Sequence, residues 1–96
     1  FVAPIVPPGA MVRHVVFGVG RVVGLMASFP ECQVKTIKLP YLSELPDEVS
    51  MDSDGQTLHH QRFGEGTVWA YIIVFKERIM PMSYPSSFAD NSILIE

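Results

Sequence analysis

A nine-residue pattern that occurs twice constrains the fold of this chain more than any other feature. The segments His14–Val22 and His60–Val68 share the pattern H-x-x-F-G-x-G-x-V, and they lie 46 residues apart. Because self-similarity at a fixed spacing is typical of repeated structural units, the pattern predicts two related, degenerate repeats in tandem.

The glycines of the pattern favour a tight turn between strands over a phosphate-binding loop. A phosphate loop requires a helix after the glycines, whereas the strand formers R-V-V and T-V-W follow Gly20 and Gly66. Glycine permits the positive φ that such a turn needs, and phenylalanine fills a small core. We therefore assign a structural turn and core role to Phe17, Gly18, Gly20, Phe63, Gly64 and Gly66.

The remaining punctuation of the chain predicts an all-β fold. Eight prolines and seven glycines interrupt helical periodicity, and the longest uninterrupted stretch is rich in β-branched and aromatic residues. Strands are expected over residues 11–17, 21–28, 33–39, 58–63, 67–75, 76–83 and 92–96. We divide the chain into a proline-rich lead-in, residues 1–10, a first β-unit with an acidic connector, residues 11–57, and a second β-unit, residues 58–96.

Composition narrows the class of protein further. The chain is 48% hydrophobic and only 18% charged, with a net charge of −3, which excludes a disordered chain. Its longest apolar run, Val68–Phe75, is too short for a transmembrane helix. The single cysteine, Cys32, excludes a disulfide scaffold and favours a reducing, cytoplasmic setting. The start at Phe1 and the stiff proline-rich lead-in suggest a chain excised from a larger protein, or processed.

Catalysis, metals and cofactors find no support in the residue pattern. The three histidines lack the further ligands that a zinc site needs, and the adjacent His59 and His60 point to opposite faces of a strand. No Ser/His/Asp arrangement is recognisable, and Cys32 has no recognisable base or orienting group. We expect a protein that is not an enzyme and that carries no metal and no cofactor.

A family resemblance lies in the repeated pattern. The segment Val12–Val22, V-R-H-x-x-F-G-x-G-x-V, resembles the start of the Tudor-like (SH3-like) C-terminal domain of UvrD/PcrA-type bacterial helicases, and His60–Val68 resembles it more closely. Ile73–Phe75 followed by Tyr84–Phe88, Y-P-S-S-F, is similar to related small bacterial domains. The resemblance implies a small five-stranded barrel that docks on RNA polymerase or another protein, sometimes touches nucleic acid, and performs no chemistry.

One departure from that family suggests strand exchange. The segment Thr67–Phe75 runs T-V-W-A-Y-I-I-V-F without the polar turn that the family places there. Such a strand could leave its own barrel and complete a neighbour, which would make the chain a homo-oligomer. The alternative is one bent strand shared by two sheets of a single barrel. The first copy also lacks an obvious Y-P-x-x-F counterpart.

Three functions follow from these patterns. The first is a protein-interaction module tied to transcription or DNA repair, with a partner added at an edge strand marked by Pro81. Its predicted partner-binding residues are Arg62, Glu65, Trp69, Arg78, Met80, Met82 and Tyr84. The second is a single-stranded nucleic-acid binder that uses Arg13, Arg21, Lys35 and Lys38 with aromatic faces. The third is a self-associating structural domain, or an engineered chain.

An aromatic cage for a cation is a further reading of Trp69, Tyr71, Phe75 and Tyr84. Strict alternation would place Trp69, Tyr71 and Phe75 on one face of a strand, which predicts first of all a core face.

Overall fold

Eight strands form one curled antiparallel sheet in the computed structural model, which describes residues 4–40 and 44–96. The strands are β1 (Met11–His14), β2 (Gly18–Ser28), β3 (Lys35–Lys38), β4 (Val49–Met51), β5 (Thr57–His60), β6 (Gly64–Phe75), β7 (Ile79–Ser83) and β8 (Ile93–Ile95). One short helix, α1 (Ser86–Ala89), lies between β7 and β8. The expected all-β architecture is confirmed, and the curled sheet is compatible with a small β-barrel.

Two long strands form the centre of the sheet. The main strand order is β4-β5-β6-β2-β1-β8, and β2 pairs with β6 from Gly20↔Phe75 to Ser28↔Thr67. The other edge of β2 pairs first with β1 and then with β3, and the other edge of β6 pairs first with β5 and then with β7. Each long strand therefore serves two groups of neighbours along its length.

The pairing of β2 with β6 repeats itself at the 46-residue spacing. Arg21↔Val74 has its counterpart in Ser28↔Thr67, since 21 and 67, like 28 and 74, differ by 46. Leu25↔Tyr71 is its own counterpart, so it lies at the centre of this correspondence. The two register shifts also correspond, with an extra residue at Val23 in β2 and at Trp69 in β6.

The last strand of each half of the chain pairs with the first hairpin of the other half. Strand β8 pairs with β1, where His14 lies opposite Ile93. Strand β4 pairs with β5, where His60 lies opposite Val49. Neither half could therefore be removed without leaving an incomplete sheet in the other.

The core lies inside the curl and draws on the buried faces of nearly every strand. Val12, Val22, Leu58, Val68 and Ile73 are at most 1% exposed. Val6 of the proline-rich lead-in is also buried among these residues. Within the described residues, no helix is long and apolar enough to cross a membrane.

The structure differs from the predicted elements at three places. Strand β4 lies inside the segment predicted as an acidic connector, where Val49 is buried within a run too short and too charged to indicate a strand. The segments 15–17 and 61–63 form turns rather than strand ends. Parts of the lead-in and of the connector, residues 1–3 and 41–43, lie outside the described residues.

The third difference is at Trp69, whose side chain lies on the outside. The extra residue of the β-bulge breaks the alternation, so Trp69 is 38% exposed while Tyr71, Ile73 and Phe75 are buried. The expected common face of Trp69 with these three residues is therefore wrong. A cage made of all four predicted aromatic residues does not form, because Tyr71, Phe75 and Tyr84 are core side chains.

Candidate functional site

Two histidine turns give the repeated pattern its geometry. Nδ1 of His14 accepts hydrogen bonds from the backbone N–H of Val16 and of Phe17, at 3.0 and 3.2 Å. Nδ1 of His60 accepts the corresponding bonds from Arg62 and Phe63, at 3.0 and 3.4 Å. In each turn the imidazole satisfies two N–H groups that the sheet leaves free.

A phenylalanine from the opposite half completes each turn. The rings of His14, Phe17 and Phe75 form one cluster, with centroid distances of 4.7, 5.4 and 5.9 Å. The rings of His60, Phe63 and Phe29 form the other, with distances of 4.7, 5.7 and 5.8 Å. The glycines of the pattern make room for them, and Gly18 and Gly64 both have a φ of +80°.

Cations lie over the outer ring of each cluster. The guanidinium carbon of Arg78 lies 4.8 Å from the centroid of the Phe17 ring. At the other cluster, Lys35 and Arg62 lie 5.6 and 5.5 Å from the centroid of Phe63. Such contacts hold long side chains against an aromatic face at the protein surface.

The two ends of the sheet differ in what they present to solvent. Val15, Val16, Val19 and Leu94 are between 42% and 76% exposed around the β1–β2 turn. Leu94 and Val19 lie on either side of Arg13 in adjacent strands. The corresponding exposed positions around the β5–β6 turn hold Gln61, Arg62, Glu65 and Ser50. The same geometry therefore carries apolar residues at one end and polar residues at the other.

Arg78 and Ile79 extend this exposed apolar region. Val16 and Phe17 line a groove together with Phe75 and Arg78. Ile79 follows Arg78 at the start of β7 and is 68% exposed. We refer to Val15, Val16, Val19, Arg78, Ile79 and Leu94 as the apolar end surface.

The predicted partner-binding residues do not form one group. Arg62 and Glu65 lie at the start of β6, whereas Arg78 lies beyond its far end. Met80 and Met82 are half-buried against the core, and Tyr84 is only 5% exposed. Tyr84 is therefore corrected from a partner contact to a core residue. Strand β7 pairs with β6 alone among the described strands, as expected of an edge strand.

The residues predicted to bind nucleic acid are spread over three strands. Arg13 forms an ion pair with Glu96 at 2.9 Å, and Lys35 lies against the Phe63 ring. Arg21 lies opposite Val74 in the outer pairing of β2, and Lys38 lies opposite Gly24 at the end of β3. The four side chains do not line a single stripe along one strand.

Local hydrogen bonds and burial shift three pKa values. The pKa of Asp54 is lowered to about 2, because its carboxylate accepts hydrogen bonds from the Thr57 hydroxyl and from two backbone N–H groups. Burial raises the pKa of Tyr71 far above its ordinary value, and burial also raises that of Tyr84. His59 pairs with Asp52 at 2.9 Å, and within the described residues no three acidic, histidine or cysteine side chains come together around a metal position.

The sequence matches no family model, and comparisons with curated proteins and with solved structures return no similar chain. The site therefore has to be interpreted from its own geometry. Sequence reasoning missed Val15, Val16, Val19 and Leu94. A signal was present, because aligning the two copies of the pattern sets Val15, Val16 and Val19 against Gln61, Arg62 and Glu65.

Proposed function

We propose that this chain is a non-catalytic protein-interaction module made of two degenerate SH3-like copies. The proposal is supported by the strand pairs that recur at the 46-residue spacing and by the two equivalent clusters of histidine and phenylalanine rings. One unit comprises β8, β1, the first half of β2, the second half of β6, and β7. The other comprises β4, β5, the first half of β6, the second half of β2, and β3.

In this arrangement the exchange of strands takes place between the two halves of one chain. The long strand β6 begins beside β5 and ends beside β7, and β2 does the same beside β1 and β3. The role that strand exchange would give to a second chain is filled by the second copy. The proposed active form is accordingly a monomer.

The partner is proposed to bind the apolar end surface. One observation carries this: Val15, Val16, Val19 and Leu94 are exposed where the other half has polar residues in the same geometry. The fold therefore does not need apolar side chains at these positions. Clustered apolar residues exposed without a structural need mark interaction sites. Arg78 supplies a charged rim residue, and the edge of β7 adjoins the surface.

The resemblance to UvrD/PcrA-type helicase domains suggests RNA polymerase, or a DNA-repair protein, as the partner. The test is binding of the full chain to purified bacterial RNA polymerase core enzyme, measured by biolayer interferometry. A graft that replaces Val15, Val16, Val19 and Leu94 by the Gln, Arg, Glu and Ser of the other half should fold normally. We expect the graft to weaken binding at least tenfold.

A matched control replaces Gln61, Arg62, Glu65 and Ser50 by alanine. This variant should bind as the wild type does. Loss of binding in the control with retention in the graft would move the interface to the opposite end. Absence of binding by the wild-type chain would remove RNA polymerase as the partner.

A second candidate function is single-stranded nucleic-acid binding. Lys35 and Arg62 both lie against the Phe63 ring, which combines positive charge with an aromatic face. Fluorescence anisotropy with a labelled thymidine oligonucleotide tests it. Binding that weakens steeply with salt and is lost in Lys35→Ala would support this function, and no binding at low salt would exclude it.

A further inference from the structure

The proline-rich segment Pro4–Pro8 lies in a groove of the sheet rather than extending from it. Val6 is 3% exposed and belongs to the core. The Tyr84 hydroxyl donates a hydrogen bond to the carbonyl of Pro4 at 2.8 Å. Ile5 lies against Gly55, where an added Cβ would be 2.9 Å from the Ile5 side chain.

The segment is held without joining the sheet. In the described part of the chain it takes no part in any strand pairing. It ends in a turn in which the N–H of Ala10 donates to the carbonyl of Pro7, with Gly9 at a φ of +74°. Proline fixes its own φ and holds the preceding residue extended, so such a segment loses little conformational entropy on docking.

The groove is almost entirely apolar and is incompletely filled. A cavity of about 100 Å³ remains beneath the segment. Val22 and Leu25 from β2, Tyr71 from β6, and Leu39, Leu45 and Met51 line it together with the segment itself. Unfilled volume in a core costs stability, so a side chain larger than Val6 would be accommodated with a gain.

The other half of the molecule shows the filled version of this site. Tyr71, Tyr84 and Phe88 pack there with ring centroids 5.1 to 5.8 Å apart. Leu39 holds the position that corresponds to Tyr84, because their N–H groups donate to the carbonyls of Val23 and Trp69, which lie 46 residues apart. A leucine thus stands where the other half has an aromatic ring, and the groove stays open.

We propose that this groove is a docking site for an extended, proline-containing apolar peptide of another protein. Pro4–Pro8 is its intramolecular occupant and competes with that peptide. The ligand has the form of Pro4–Pro8 itself, with leucine in place of Val6 to fill the cavity. The site shares no residue with the apolar end surface, so it does not depend on the proposed function.

The test uses the full chain and the synthetic peptide Pro-Ile-Leu-Pro-Pro-Gly as the probe. Val6→Asp releases the segment, because a lone carboxylate is not tolerated in the apolar groove. By calorimetric titration, this variant should bind the peptide at least tenfold more tightly than the wild-type chain does. The matched control peptide Pro-Ile-Asp-Pro-Pro-Gly should not bind. Equal affinity of the two chains, or no binding by the folded variant, would overturn the proposal.

Val6→Ala decides the question if the aspartate variant fails to fold. It keeps the segment uncharged but weakens its anchor. The leucine peptide should raise the thermal unfolding midpoint of Val6→Ala by several degrees, since a ligand stabilises the state it binds. The aspartate peptide should leave it unchanged. Absence of a shift with the leucine peptide would overturn the proposal.

Discussion

The ring of Phe29 occupies the space that a side chain on Gly66 would need. An ideal Cβ on Gly66 would lie 2.5 Å from the ring, and one on Gly20 would lie 2.7 Å from the ring of Phe75. Each phenylalanine comes from the half of the chain opposite to its glycine. The second glycine of the repeated pattern is therefore the point at which each half receives an aromatic ring from the other.

Gly66→Ala should destabilise the protein by about 1–3 kcal/mol, because the added methyl overpacks a ring fixed between His60 and Phe63. Gly20→Ala should cost a similar amount. Chemical denaturation, followed by the single tryptophan and by circular dichroism, measures both.

Gly18 and Gly64 provide the controls, since nothing lies within 4 Å of a Cβ added at either. Their φ of +80° is the only obstacle there. Gly18→Ala should cost about 1 kcal/mol and Gly18→Asn less, because asparagine tolerates this backbone region. A cost for Gly18→Asn equal to that of Gly20→Ala would contradict the overpacking argument.

His60→Ala should destabilise the β5–β6 turn by about 1–3 kcal/mol, because the N–H groups of Arg62 and Phe63 lose their acceptor. His60→Asn should restore part of this stability. A short side-chain oxygen can accept from the N–H groups two and three residues ahead, as Asp54 does from Gln56 and Thr57. Equal unfolding midpoints for the two variants would show that the acceptor role is unimportant.

Asp54 should contribute to loss of stability in acid. Its folded-state pKa of about 2 lies below the ordinary aspartate value of about 3.9, so its contribution is present above pH 4 and is lost as the pH falls through 2. In Asp54→Asn, the fall in unfolding midpoint between pH 5 and pH 2 should be smaller than in the wild type. An unchanged fall would assign the acid sensitivity to other carboxylates.

Tyr71→Ala should cost about 3–5 kcal/mol, whereas Trp69→Ala should cost less than about 1 kcal/mol. The reason is that Tyr71 is fully packed in the core and the bulge turns Trp69 towards solvent. Urea denaturation followed by circular dichroism compares the two variants. A larger cost at Trp69 would mean that the indole is covered in solution.

The sequence predicted the all-β class, most of the strands and the tight turns, because strand formers and glycines act locally. It did not predict the bulge at Trp69, since an inserted residue changes the face of every side chain before it without changing the composition. Strand β4 was missed because Val49–Met51 lies among acidic residues and forms a strand through its pairing with β5.

The candidate site was predicted only in part. Arg78 is exposed beside the apolar end surface, but Tyr84 lies in the core because it packs against Tyr71 and Phe88, which are distant in sequence or separated by a turn. The exposed Val15, Val16 and Val19 read as an ordinary strand when taken alone. Their exposure depends on which face of β1 and β2 the rest of the chain covers.

The pairing of each last strand with the opposite hairpin is tested most directly by nuclear magnetic resonance on an equal mixture of isotope-labelled and unlabelled chains. The account predicts cross-strand contacts of His14 with Ile93 and of His60 with Val49, all within single chains. Contacts that join labelled to unlabelled chains, or a contact of Val49 with strand β1, would contradict it.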